Sequence, residues 1–127
     1  MTAEMRRDIQ CAADSTAGVL ITGPDGAAES IALEIHQRAS PQSRPFRVVD
    51  CQNEHQVAGI LECAEVADGE TLLLRQVEML SPELQASLSM ELKHQRRKIV
   101  ASTTVHIQEP FNQALFYQLN VVHIFAS

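Results

Sequence analysis

The sequence lacks the features that would assign it to a membrane, a disulfide scaffold or a nucleic-acid surface. No apolar run approaches about 18 residues and no signal-peptide core is present, so we expect a soluble, cytoplasmic protein with no membrane partner. The three cysteines include no close CxxC pair, which favours buried free thiols over disulfides or a zinc site. With a net charge of −6 and no broad basic face, direct DNA binding is not expected.

Reactive side chains also form no recognisable constellation. The five histidines show no ligand spacing of the HExxH type, so we expect no catalytic residue and no metal ligand among them. We place His36 and His94 on polar helix faces and His123 at the end of a strand. A Cys–His nucleophile has nothing in the sequence to favour it.

What the sequence does contain is a regular alternation of short apolar runs and amphipathic segments. The 127 residues are 45% hydrophobic, enough for one domain with one core, spanning residues 1–127. The apolar runs are apolar on both faces, which predicts a parallel sheet covered by helices on both sides. We predict strands at 18–22, 46–51, 71–74, 99–102 and 121–125, and helices at 2–13, from about 30 to 40, at 54–66, from Ser81-Pro82 to a solvated basic end (Lys93, Arg96, Arg97, Lys98), and from Pro110 through Phe111 and Leu115.

The turn after the first strand has the context of a phosphate-binding loop, because a strand precedes it and a helix follows. In the template GxxxxGK[ST], Gly23 and Ser30 hold the first and last positions, with Asp25 and Gly26 between them. Ala28 replaces the second glycine, and Glu29 stands where the lysine should be. The loop frame is kept and its charge is reversed.

The size of this reversal argues against ordinary ATP binding. A lysine about 4 Å from a phosphate charge gains roughly 4 kcal/mol at an effective dielectric near 20. Glu29 turns a similar amount into repulsion, while micromolar affinity is worth only about 8 kcal/mol in total. No cofactor is therefore expected.

Five segments in order resemble the AAA+ central domain of sigma-54-dependent transcription activators, the NtrC-like enhancer-binding proteins. The resemblance runs from Met5 to Ile124. It implies an αβα sandwich of the P-loop NTPase type, with a five-stranded parallel sheet of order 5-1-4-3-2. The segments are Val19–Gly23 (Walker A entry), Pro45–Cys51 (second strand), Ala67–Leu74 (approach to Walker B), Leu84–Ala86 with Leu88 (the next helix) and Phe116–Val122 (the arginine-finger segment).

The chain departs from this family at every position that the resemblance makes catalytic. Walker B should supply an aspartate for magnesium and a glutamate for the attacking water, but these positions read Arg75 and Gln76. The sensor asparagine is replaced by Thr104, and the two arginine-finger positions correspond to Asn112 and Gln118. The sigma-contacting loop has no counterpart in this sequence, and we expect the domain to lack the helical lid.

Random accumulation of substitutions would explain these departures. The more specific hypothesis is that the nucleotide site was rebuilt with new contacts between its residues. The two inversions, at Glu29 and Arg75, face each other across a nucleotide site in the family. We therefore expect these side chains to pair, directly or through water, because a partly buried carboxylate needs a partner and arginine offers two parallel donors.

The sequence thus predicts a non-catalytic interaction module of transcription control, not an ATPase. Its expected partner is a protein, either an intact AAA+ activator or a second copy of itself. Two alternatives stay open. One is a weak nucleotide sensor that binds ATP and magnesium through the backbone N–H groups at Gly26 to Glu29. The other is a structural homodimer that covers apolar surface bared by the missing lid.

Overall fold

A twisted sheet of five parallel strands runs through the middle of the molecule. The computed structural model describes residues 2–15, 18–39, 45–62, 70–94, 98–105, 107 and 111–126. The strands are β1 (Val19–Thr22), β2 (Phe46–Asp50), β3 (Thr71–Arg75), β4 (Lys98–Thr103) and β5 (Val122–Phe125). Their order across the sheet is β2-β3-β4-β1-β5, and every pair is parallel, which confirms the predicted arrangement.

Helices cover the two faces of the sheet, and the sheet divides the core into two clusters. The helices are α1 (Ala3–Asp14), α2 (Asp25–Ala39), α3 (Glu54–Glu62), α4 (Pro82–His94) and α5 (Gln113–Leu119), with one turn of 3-10 helix at Val77–Met79. The first cluster joins α1 and α2 to alternate strand residues such as Ile21 and Leu73. The second joins α3, α4 and α5 to the opposite residues, such as Leu20 and Leu72. The three-layer αβα architecture follows from this alternation.

Several element boundaries differ from the predicted ones. The helix α5 begins at Gln113, after Asn112 as its N-cap, so Phe111 precedes the helix rather than lying on it. Residues 63–66 of the third predicted helix, and Pro110, lie outside the described residues. The longest extension is at α2, which begins at Asp25 instead of near Ser30.

Lys98 is the first residue of β4 and not part of the end of α4, as the sequence had suggested. Its Nζ donates to the carbonyl oxygens of Ala12 and Ser15, both at 2.5 Å, at the C-terminal end of α1. A cation there satisfies carbonyls that have no partner within their own helix. Burial lowers the pKa of the Lys98 ammonium. Arg96 and Arg97 lie outside the described part of the chain.

The cysteines and histidines are placed differently from several of their predicted positions. Cys51 is buried as expected, but Cys11 is exposed, and Cys63 lies outside the described residues. His36 is buried, contrary to its predicted polar face, because its Nδ1 lies 2.6 Å from the Thr71 hydroxyl and its ring contacts Phe46.

In the described part of the chain, no helix is long and apolar enough to cross a membrane.

Candidate functional site

The turn after β1 is shorter than a phosphate-binding loop. Gly23 ends the strand with φ 155°, and its N–H donates to the Thr103 carbonyl at 3.0 Å. A Cβ on this glycine would lie 2.3 Å from the backbone oxygen of Ala126. The glycine is therefore required by the close approach of the chain after β5, whether or not a phosphate is ever bound.

The helix α2 begins two residues later, inside the segment that the sequence assigned to the loop. The Ala28 N–H donates to the Pro24 carbonyl at 2.9 Å, closing the first helical turn. Pro24 sets the backbone before the helix, Asp25 places a carboxylate in the first turn, and the alanines that follow favour helix. Gly26 lies in this first turn, Glu29 in the second, and Ser30 is the sixth helical residue. The expectation that Ser30 lies in the first turn was wrong.

Arg75, at the end of β3, is the centre of an ion-pair cluster. Its Nε lies 2.8 Å from Asp50 Oδ1, and its Nη2 lies 4.0 Å from Asp25 Oδ2. Asp50 is the direct neighbour of Arg75 in the register of β2 and β3. The Nε–H does not point at its carboxylate, so this contact is ionic without being a directed hydrogen bond. All three side chains are partly exposed.

Two amides extend the cluster across the ends of the strands. Gln76 Nε2 donates to Asp25 Oδ2 at 3.2 Å, and Gln52 Nε2 donates to Gln76 Oε1. Gln76 holds a left-handed backbone conformation, with φ 56° and ψ 52°, which turns the chain from β3 into the 3-10 helix. We call these five residues the strand-end cluster: Asp25, Asp50, Gln52, Arg75 and Gln76.

The direct pair predicted between Glu29 and Arg75 was wrong. Arg75 takes Asp25 and Asp50 as its partners, and none of the ion pairs among the described residues includes Glu29. The reason is the early start of α2, which moves Glu29 into the second turn and brings Asp25 to the carboxyl ends of the strands. Both aspartates could have been found from the sequence: the strand order places β2 beside β3, and an aspartate in a first helical turn is favoured there.

The positions that correspond to the arginine fingers carry structural contacts, and the sensor position is exposed. Thr104 lies in an exposed bend directly after β4. Asn112 caps α5 by accepting the Leu115 N–H at 2.9 Å, and its own N–H donates to Gln85 Oε1 at 2.7 Å. Gln118 joins α5 to α4 through Ser89, whose hydroxyl donates to Gln118 Oε1 at 2.6 Å.

A separate groove of about 820 Å³ lies next to the strand-end cluster, between α3 and α4. Both helix N-termini that border it are capped, since Asn53 accepts the Gln56 N–H and Ser81 accepts the Leu84 N–H. Its remaining lining is Gln52, Glu54, His55, Ala58, Met79 and Glu83. Gln52 is the one member of the strand-end cluster among its lining residues. Among the residues that the structure describes, no three acidic, histidine or cysteine side chains are arranged to hold a metal ion.

A profile of the family described as "Sigma-54 interaction domain" matches residues 1–124. The chain belongs to this family. A curated relative, the glycerol metabolism operon regulatory protein of Citrobacter freundii, is 29% identical over 140 aligned residues that cover 84% of this chain. The chain spans only 22% of that relative's length.

Solved structures carry the same fold. NtrX from Brucella abortus, in a complex with ADP, is 25% identical with a TM-score of 0.79, covering 97% of this chain and 35% of NtrX. The P-loop NTPase domain of a sigma-54 activator from E. coli is 21% identical with a TM-score of 0.78, covering 97% of this chain and 92% of that domain. The RuvB branch migration motor of Thermotoga maritima matches at a TM-score of 0.75. The P-loop αβα fold of the sigma-54 interaction domain is therefore present in this chain.

Proposed function

We propose that this sigma-54 activator-like domain is a non-catalytic regulatory module that has lost ATP hydrolysis and acts in the cytoplasm by binding protein. The observation that carries the proposal is the strand-end cluster: where a P-loop ATPase needs magnesium ligands, this chain has Arg75 with two aspartate partners. A magnesium ion at this point would have to compete with the Arg75 guanidinium for the Asp25 and Asp50 carboxylates.

The early start of α2 supports the same proposal. A phosphate-binding loop works because consecutive backbone N–H groups point into the loop. Here the Ala28 N–H is used inside the helix, and that of Glu29 points along the helix in the same way. Asp25 and Glu29 add negative charge at the end where phosphate would bind. Mg–ATP therefore fits these residues poorly, and the nucleotide-sensor alternative keeps only the N–H groups of the first turn of α2 as phosphate donors.

We base the proposed role in protein binding on what this chain keeps of the family's fold and on what it has changed. The fold that relatives use is intact, with a described core on both faces of the sheet. The finger positions, Asn112 and Gln118, are built into the packing of α5. We propose that the partner is an intact AAA+ activator whose assembly includes this domain as a subunit that does not hydrolyse ATP.

Calorimetric titration with Mg–ATP tests the loss of nucleotide binding. We expect no binding heat up to about 1 mM ATP, which corresponds to an affinity weaker than roughly 4 kcal/mol. We expect the same null result for Glu29→Lys, because the helical start of α2 and the strand-end cluster remain. NtrX of Brucella abortus, whose structure contains ADP, is the positive control under identical conditions.

Two further measurements could contradict the proposal. Saturable Mg–ATP binding by the wild-type chain, together with phosphate release, would show a working ATPase. Mixing the chain with an intact sigma-54 activator should change the activator's sedimentation or its ATP turnover. If neither changes at concentrations well above those of the activator, the proposed partner is wrong.

A further inference from the structure

The groove between α3 and α4 leaves apolar side chains in contact with solvent. Its volume of about 820 Å³ lies within the range of about 300–1,000 Å³ that is usual for clefts that bind ligands. Three of its lining residues are apolar: Ala58, Met79 and Leu84. Leu84 packs against the core on its inner side, and Met79 is 51% exposed. The groove therefore offers apolar contact area to a ligand.

The charged side chains that line the groove are carboxylates. Glu54 and Glu83 lie in the first turns of α3 and α4, and the described residues of the lining include no lysine or arginine. Neither glutamate takes part in an ion pair within the part of the chain that the structure describes. Both carboxylates are therefore available to a cation from outside the domain.

The two helix N-termini that border the groove do not reverse its charge. A helix N-terminus carries about half a positive elementary charge, and here each one has a full negative charge on its own first-turn glutamate. Asn53 and Ser81 cap the helices, which uses N–H groups that an anion would otherwise bind. The adjacent strand-end cluster, with two aspartates and one arginine, is also negative. The groove therefore favours a cationic ligand over a phosphate, a nucleic acid or an acidic peptide.

We propose that this groove binds a basic amphipathic helix of a partner protein. The apolar face of that helix packs on Met79 and Leu84, and its flanking lysines or arginines pair with Glu54 and Glu83. Amphipathic helices bind grooves in this way through apolar anchors three or four residues apart, and methionine adapts to anchors of different shape. The inference rests on the proposed role in protein binding and adds the surface and the chemistry of the partner.

Fluorescence anisotropy with two designed, labelled peptides tests the proposal. Each peptide has about 14 residues, enough for roughly four helical turns, and carries leucine at the same helical spacing. One has lysine at the flanking positions and the other has glutamate. We expect the lysine peptide to bind the 127-residue chain with a dissociation constant of about 1–100 µM. The glutamate peptide should bind at least about tenfold more weakly, because its carboxylates repel those of the groove.

A double variant tests whether the two groove carboxylates carry the recognition. Glu54→Gln combined with Glu83→Gln should weaken binding of the lysine peptide roughly tenfold, and added salt should reduce the difference from wild type. The matched control is Glu4→Gln combined with Asp14→Asn, which removes two exposed carboxylates from α1 on the opposite face of the sheet. This control has the same net charge as the groove variant and should bind like wild type.

A second pair of variants tests the apolar contact. Met79→Ser should weaken binding of the lysine peptide about fivefold, because it removes apolar area from the groove. Met90→Ser changes a methionine of similar exposure on α4, outside the lining of the groove, and should leave binding unchanged. Circular dichroism checks that each variant keeps the fold, which the exposure of these side chains leads us to expect.

Each result decides the proposal. The expected order of affinities, with both control variants equal to wild type, supports a basic helix in the groove. No saturable binding of the lysine peptide up to about 1 mM contradicts it. Equal binding of the two peptides, tighter binding of the glutamate peptide, or an equal loss in the α1 control contradicts it as well. A negative result leaves the ATP titration and the mixing experiment with an activator unaffected, so failure of the groove proposal is distinguishable from failure of the proposed function.

Discussion

At the scale of single residues, the departure that matters most is Arg75. A cation at the end of β3 attracts the two nearest carboxylates, and those carboxylates come from the start of α2 and the end of β2. Three elements are thereby joined by charge at the carboxyl ends of the strands. The contact is partly exposed, so its contribution to stability is modest and sensitive to salt.

Replacing Arg75 with methionine should destabilise the chain by about 1–2 kcal/mol, because it leaves Asp25 and Asp50 close together without a cation. Urea unfolding at low and high salt measures this change, and the difference from wild type should shrink at high salt. The control is Arg38→Met, which removes an exposed pair with Glu34 on α2 and should cost less than about 0.5 kcal/mol. An Arg75→Met variant as stable as wild type would show that the ion pairs of Arg75 do not stabilise the fold.

At the scale of elements, the residue at which α2 begins decides whether residues 25–28 form a helix or a phosphate-binding loop. Gly26 lies in the first turn of α2, and a Cβ added there meets no atom within 4 Å. Gly18, directly before β1, is the opposite case, since its Cβ would lie 2.1 Å from the backbone oxygen of Gln118. The two glycines therefore predict opposite responses to the same substitution.

We expect Gly26→Ala to stabilise the chain by about 0.5–1 kcal/mol, because alanine is the better helix residue and nothing obstructs its side chain. Gly18→Ala should destabilise it by more than about 2 kcal/mol, because the clash is with backbone that cannot rotate away. Thermal unfolding of the two variants measures both effects. A destabilising Gly26→Ala would indicate a loop at this point instead of a helix.

The elements could be predicted well from the sequence, and the site less well. Apolar runs such as residues 71–74 are buried on both faces, so they identified the strands, and the family resemblance supplied the strand order. Glu29 was predicted at the wrong place because the phosphate-binding motif assigned Pro24–Ala28 to a loop. The local signals there, a proline, an acidic first-turn residue and two alanines, favoured helix. The burial of His36 depended on Thr71 and Phe46, which are distant in sequence.

At the scale of the whole molecule, the free energy of unfolding should fall at alkaline pH through Cys51. Burial, with help from Glu78 and Asp50, raises the pKa of the Cys51 thiol to about 12 from its usual value of 9.0. Above pH 9 the unfolded thiol loses its proton while the folded one keeps it, so stability declines as pH rises toward 12. The slope from this one group is about 1.4 kcal/mol per pH unit.

Comparison of wild type with Cys51→Ala isolates this slope. Urea unfolding between pH 9 and pH 10 should show a steeper loss of stability for wild type than for the variant, by about 1 kcal/mol over the interval. The buried Lys98 ammonium titrates in both proteins, so its contribution cancels in the difference. Equal slopes would mean that the Cys51 thiol ionises as easily in the folded chain as in the unfolded one.

The position of β1 between β4 and β5 has a consequence for how the protein is made. Its neighbours are β4 and β5, so its pairing partners are residues 98–103 and 122–125. On the ribosome, β1 must wait until residues 98–103 have been made before it finds its first partner. Contacts of such long sequence separation slow folding. We expect β2 and β3 to pair first, β1 to join the sheet only after β4 has been made, and β5 to follow because it pairs with β1.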